Sequence, residues 1–356
     1  TSPDGSAIKI GAGRYYVDGI LVENENDVDY VDQIDLPFLK SGPNETEQEK
    51  AERIYGAFES GRYLFYLDVW ERPITWLEDE SIREVALGGP DHGTRTKVIA
   101  QVRAERLDSD DHPNPSCGDF DGEHWAEPKA DSHARLAARS TPVTDPDNAC
   151  EVPASAGYRG SENQLYRVEI RVGGALGEAR FAWSRENASV VSRLEKISDD
   201  RLTLTISGYH RDENLNFDKA KWVEVIDDER ELRGEPGTFV AVDKVEDEKI
   251  TLSAALPAMT LGTNLRVRRW DDETGLRTVT SDPLVDEGYL VLEQGIQVKF
   301  TSVGDPFDGD VLFRVGEYWL IPARTNKGDI EWPKDETAAD PKPPLALGPM
   351  GIKHHY

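Results

Sequence analysis

Residues Asn163 to Val191 read NQLYRVEIRVGGALGEARFAWSRENASVV. Leu165, Arg167, Glu169 and Arg171 alternate with Tyr166, Val168, Ile170 and Val172. That period of two predicts a strand with one apolar and one charged face. Gly173-Gly174 breaks it, Ala175 to Glu178 make a turn, and Ala179 to Ser184 return as the second strand of a hairpin. Nothing in the stretch has the look of a catalytic motif. It predicts scaffold, and the chain around it is mainly β with few short helices.

Outward from this hairpin the chain divides by composition. Residues 1–106 form the N-terminal β part of a main domain, with strands at Tyr15–Val22 (around Asp18-Gly19), Arg62–Glu71 and Arg95–Arg103. Glu45–Ile54 and Asp79–Leu87 are short helix candidates. Residues 107–160 are rich in Pro and Asp and predict a long excursion over the core. After the 161–190 hairpin, residues 191–255 show short strands at regular spacing, the cadence of an inserted five-stranded barrel. Residues 256–340 return to the main domain, and 341–356 are a Pro-rich exit linker.

Net charge is −27 over 356 residues. A surface of that sign repels nucleic acid and anionic lipid, and no apolar run approaches the roughly 20 residues of a membrane helix. Lysine supplies 15 of the 41 basic residues. Spread acidity with few lysines predicts an origin in high salt, where screening is short-ranged. An ordinary acidic protein is the plainer alternative.

Candidate sites are sparse. His112, Cys117, His124, His133 and Cys150 are zinc-ligand types, but their spacing is irregular and no C-x-x-C pairs them. Solvent-facing histidines, or a Cys117–Cys150 bridge, explain them as well. DPFDGD at Asp305–Asp310 lacks the spacing of a calcium loop. Paired acids at Asp110-Asp111, Asp199-Asp200, Asp227-Asp228 and Asp271-Asp272 predict solvated faces. Trp70, Trp183, Trp222 and Trp319 lie in strand patterns and predict core. Trp76, Trp125 and Trp332 lie near turns and are candidate interface contacts. No nucleophile elbow, P-loop, H-E-x-x-H or dinucleotide turn is present, and no cofactor is expected.

Several blocks carry a family resemblance in constant order. They are GRYYVDGILVENE (Gly13–Glu25), YLDVWERPITWLEDESIREVALGGPD (Tyr66–Asp91), AGYRGSENQLYRVEI (Ala156–Ile170), FAWSRENASVV (Phe181–Val191), WVEVIDDERELRGEPG (Trp222–Gly237), RVRRWD (Arg266–Asp271), EYWLIPARTNKGDIEWP (Glu317–Pro333) and GIKHHY (Gly351–Tyr356). Together they resemble a family of large proteins encoded beside phage-tail-like contractile injection systems. The resemblance implies a longer polypeptide, assembled in the cytoplasm as part of a particle that can be released from the cell. It implies association with baseplate, cage or fibres, as a homo-oligomer and with other proteins of the system, without membrane insertion. A receptor- or glycan-binding module at the particle tip is the alternative, and a glycan-cleaving enzyme the third.

Overall fold

The computed structural model describes residues 8–38, 44–58, 61, 63–87, 93, 95–106, 132–141, 156–207, 216–258, 261–280, 288–303, 313–339, 342–351 and 353–356. The fold is mainly β, as the alternation predicts. Gln164–Val172 and Arg180–Ser184 form the expected antiparallel hairpin. They sit in a five-stranded sheet ordered Arg277–Thr278, Arg180–Ser184, Gln164–Val172, Tyr318–Arg324, Asp329–Ile330. A three-stranded sheet of Leu290–Val291, Ile296–Ser302 and Ala134–Ser140 faces it. Val168, Ile170, Phe181, Trp319 and Ile321 from the first sheet meet Leu136, Val298 and Phe300 from the second in one core. The Phe181 and Phe300 rings lie 4.9 Å apart.

The Ala134–Ser140 strand corrects the reading of 107–160 as one excursion. Ala134, Leu136 and Ala138 alternate inward and are buried, and the strand pairs along its length with Ile296–Ser302. Residues 107–131 and 142–155 of that excursion, with His112, Cys117, His124, Trp125 and Cys150, lie outside the described residues, as does Asp305–Asp310.

A closed barrel follows the hairpin. Its order is Val191–Ile197, Thr203–Ile206, Lys249–Leu252, Thr238–Glu246, Trp222–Ile226, Arg266–Trp270, closing where Ser192 pairs with Val267. It has six strands where five were expected, and it extends beyond residue 255. Arg266–Trp270, assigned by sequence to the main domain, is the strand that seals it. Closure removes both free edges, which is why the sixth strand is needed. Leu204, Val223, Val225, Ile250 and Val267 fill the interior. The chain leaves the main sheet after Ser184 and rejoins it at Arg277, which pairs with Phe181. Exit and return are therefore neighbours, the geometry that tolerates an inserted body.

The N-terminal part is built on one long hairpin, Tyr63–Ile74 with Arg95–Arg106. The helix Glu47–Gly56 opens with a capping box between Thr46 and Glu49 and packs Ile54 against Tyr30 and Val31. The second helix candidate is two 3-10 turns, Glu80–Ile82 and Val85–Leu87. A smaller ribbon, Gly13–Val17 with Ile20–Asn24, turns at Asp18-Gly19.

Residues 342–356 are a strap and not a free exit linker. Leu347 pairs with Leu136, Met350 with Tyr318 and His355 with Val69. Successive backbone bonds thus tie both sheets of the main domain to the long N-terminal hairpin. The Trp319 and Trp332 indoles donate to the strap carbonyls of Leu347 and Leu345 at 3.0 and 2.8 Å. Among the described residues no helix is long and apolar enough to cross a membrane.

Candidate functional site: a cleft between sheet and barrel

The charged face of the opening hairpin is not wet. Glu169 and Arg171 are 3% and 4% exposed, because the barrel lies over them. Burial alone would raise the Glu169 carboxyl, but Arg167 and Arg171 outweigh it and hold the pKa at about 2, against an ordinary 4.5. Arg171 also pairs with Glu224 of the barrel, which is completely buried. Glu224 further accepts from the Gly237 amide and from Trp270 Nε1, each at 3.0 Å.

A second ionic cluster joins the barrel to the N-terminal hairpin. Carboxylates of Glu78, Asp228 and Glu231 converge within 4.8 Å of one another, the grouping a cation would use. Two guanidinium groups already occupy that cluster. Arg266, 2% exposed, pairs with all three carboxylates, and Arg72 reaches Asp228 and Glu231. Burial opposes ionisation of Asp228 and Glu231, but the arginines lower both pKa values. Gln101, fully buried, adds a neutral tie by donating to the Leu232 carbonyl at 2.7 Å.

A cleft of about 530 Å³ opens where the main sheet meets the barrel. Its floor is buried and polar. Tyr166 donates to Glu293 at 2.7 Å. Arg185 donates Nε and Nη2 to the two oxygens of Glu293, each at 2.5 Å. The same arginine reaches Asp271 at 3.3 Å through Nη1, and its backbone amide reaches Asp271 at 2.8 Å. Arg269 closes the row, with Nε 3.2 Å from Asp271. Burial first, then the Glu293 charge, push the Tyr166 phenol well above its ordinary pKa. It stays protonated and is a hydrogen-bond donor. That is the opposite of what an activated phenolate nucleophile requires. Burial works against the Arg185 charge, yet Glu293 and Asp271 more than restore it and raise its pKa.

Local backbone builds this floor. Tyr158 folds back over Gly160, whose missing side chain leaves room for the ring, and donates to the Glu162 carbonyl at 2.8 Å. Glu293 is presented by a tight turn through Gln294 (φ 47°) and Gly295 (φ 84°). Gly295 has no room for a Cβ against the Gly157 carbonyl. Just beyond Glu186, Asn187 and Ala188 both have φ 52°, with Ala188 buried against Ala182 and Trp270. Left-handed Gln and Ala are strained, and such strain clusters at functional sites.

The sequence-derived candidates fare differently. Trp76 is half-buried and clamped by guanidinium groups, with Arg83 3.7 Å and the barrel's Arg193 5.4 Å from its ring. Trp332 is half-buried against the main core and holds the strap. Both serve the chain's own packing. Trp70, Trp183 and Trp319 are core as expected, and Trp222 is partly buried. His133 Nδ1 lies 2.6 Å from the Val303 carbonyl at a strand end. His354 sits 2.6 Å from Asp68 and His355 2.9 Å from Asp18. The expectation that acidic pairs are solvated holds for Asp199-Asp200, which is exposed. It fails for Asp271-Asp272, at 1% and 3% exposure, and for Asp227, at 0%. Asp227 caps the helix Asp228–Leu232, and Asp271 is held by arginines.

The model of a family of unknown function, DUF6519, matches residues 3–115 and 127–356. No curated protein and no solved structure matches the chain.

Proposed function

Since the chain belongs to the DUF6519 family, we propose that it is a structural component of a phage-tail-like contractile injection system, working by assembly with other proteins of the particle. The family description carries no activity, so support comes from the resemblance of the sequence blocks and from one structural observation. The Gly13–Val17/Ile20–Asn24 ribbon projects with Tyr15 and Tyr16 at 67% and 69% exposure. Neighbouring residues of a strand point to opposite faces, so the ribbon offers an aromatic ring on each. Both its outer edges lack a strand partner among the described residues. A lone two-stranded ribbon is marginal in water, and open edges invite pairing. The rest of the body is rigidly joined by buried ion pairs and the strap, which suits a load-carrying part.

Affinity purification from the native source, followed by mass spectrometry, tests this. Tail, tube or baseplate proteins should accompany the chain, and Tyr15→Ser with Tyr16→Ser should release them. Recovery as a free monomer overturns the reading. The cleft favours a second reading, a module that binds a receptor or glycan at the particle tip.

A further inference from the structure

We infer that the cleft between the main sheet and the barrel is a binding site for a neutral saccharide, an inference that rests on the second reading above. Its volume, about 530 Å³, falls within the roughly 300–1,000 Å³ of small-ligand sites. Ligand sites also favour boundaries between bodies, and this one lies between the two cores of the fold. The lining is unusual for such a site because it is mostly polar, with a buried floor and a wet rim. Arg185 and Glu186 sit half-buried, while Lys219, Lys221, Glu273 and Gln294 are exposed. An apolar ligand would strip water from these groups without replacing its hydrogen bonds.

Charge narrows the class. Six carboxylates and four basic side chains line the cleft. Anions meet an acidic excess, and simple cations meet arginine and lysine. The complementary ligand has many groups that both donate and accept, without net charge. Sugar hydroxyls do this, each giving its proton to a carboxylate or accepting from a guanidinium, ammonium or amide.

The backbone supplies an independent reason. Gln294, a non-glycine residue held at positive φ, stands on the lip. Glycine at 294 would make the same turn without strain. The retained side chain at Gln294 is exposed and lines the cleft. Below it the floor is prearranged, since Arg185 is fixed by Glu293 and Asp271 before any ligand arrives. Fixed donors bind without the cost of ordering them. Arg269, 2% exposed and lining the cleft, has an Nε that makes no hydrogen bond although it is ion-paired with Asp271. The bonded Tyr166 phenol and the doubly held Glu293 favour retention of the sugar over its cleavage.

Calorimetric titration of the whole chain with glucose, galactose, mannose, N-acetylglucosamine, lactose and chitobiose tests the inference, with glucuronate and glycine as charged controls. At least one neutral sugar should bind at millimolar affinity or better, typical of a single-ring site. Gln294→Gly and Lys221→Ala should each weaken it by about tenfold. Gln294→Gly relieves strain and Lys221 is exposed, so both variants should fold, as melting temperatures no lower than the parent's would verify. Tyr16→Ser, on the distant ribbon, should leave the affinity unchanged. Sugar binding that neither cleft variant alters overturns this site while leaving a binding module intact elsewhere. Failure of every neutral sugar overturns this inference while leaving the receptor half of the second reading, and binding confined to glucuronate or glycine overturns the ligand class.

Discussion

Replacing Glu224 by glutamine asks whether charge welds the barrel to the main sheet. Glu224 is 0% exposed and accepts from Arg171, Gly237 and Trp270 with its two oxygens. Glutamine keeps the shape but turns one acceptor into a donor. That donor must face either an indole N–H or the Arg171 guanidinium and Gly237 amide. Arg171, 4% exposed, would retain Glu169 alone. Removing one partner of a buried pair costs about 3–5 kcal/mol, because the remaining charge is left in a low-dielectric interior. Whole domains are stable by only about 5–15 kcal/mol, so the loss is a large fraction. Glu23 supplies a control, since its pair with Arg14 is exposed and worth about 0–1 kcal/mol. Equilibrium urea unfolding followed by tryptophan fluorescence reads both, with Trp270 reporting from the junction itself. We expect Glu224→Gln to lose about 3–5 kcal/mol and Glu23→Gln less than about 1. The double change Arg171→Met with Glu224→Leu should lose less than the two single changes added together, since neither member of the Arg171–Glu224 pair is left buried without the other. A Glu224→Gln loss no larger than that of Glu23→Gln refutes the weld.

Three further outcomes follow from the same geometry. Glu169 has a folded-state pKa below its ordinary value, about 2 against 4.5, so its stabilisation is complete above about pH 4.5 and disappears as pH falls toward 2. The gap corresponds to about 3 kcal/mol, and thermal melts of Glu169→Gln should be flatter than those of the parent across that window; parallel curves would exclude the pairing. Trp332→Phe removes the 2.8 Å bond to the Leu345 carbonyl, at a cost of about 1 kcal/mol, and trypsin should then cut after Lys334 sooner; an unchanged digestion rate would show that the indole does not hold the strap. Melting temperature should rise between about 0.1 M and 2 M KCl, because screening relieves self-repulsion among the surplus carboxylates; equal values would remove the case for a high-salt origin.

Much of the fold was legible because short antiparallel strands leave a period of two, as in Gln164–Val172 and Arg95–Arg106. What escaped has specific reasons. Ala134–Ser140 is built largely of alanine and arginine, poor strand formers, and lies within a stretch dominated by Pro and Asp. Its alternation of small residues was the available signal. The sixth barrel strand escaped because barrel closure is a non-local property and Arg266–Trp270 follows a long connection. The cleft was not legible at all, since its wall comes from five separated segments near residues 158–166, 185–186, 218–221, 269–273 and 293–294. Two local traces of it existed: glycines around Tyr158, and a Gln-Gly turn where Asn-Gly is the usual choice.

The charged half of the opening hairpin carries the wider lesson. Alternation reports that two faces differ, and it cannot report whether the polar face meets water or another ionic face. Here Arg167 and Arg171 hold Glu169, and Arg171 goes on to Glu224 of the barrel, so the charged face predicted by the alternation is buried against another ionic face. The choice of base is the better clue. A solvated face is served equally by lysine, whereas planar guanidinium groups suit buried, multiply bonded pairs. All the strongly buried cations named above, Arg72, Arg171, Arg266 and Arg269, are arginines. Part of the arginine excess that pointed to salt therefore has an internal origin. The burden of that inference shifts from the scarcity of lysine to the net charge of −27, which the buried pairs, being internally neutralised, leave on the surface.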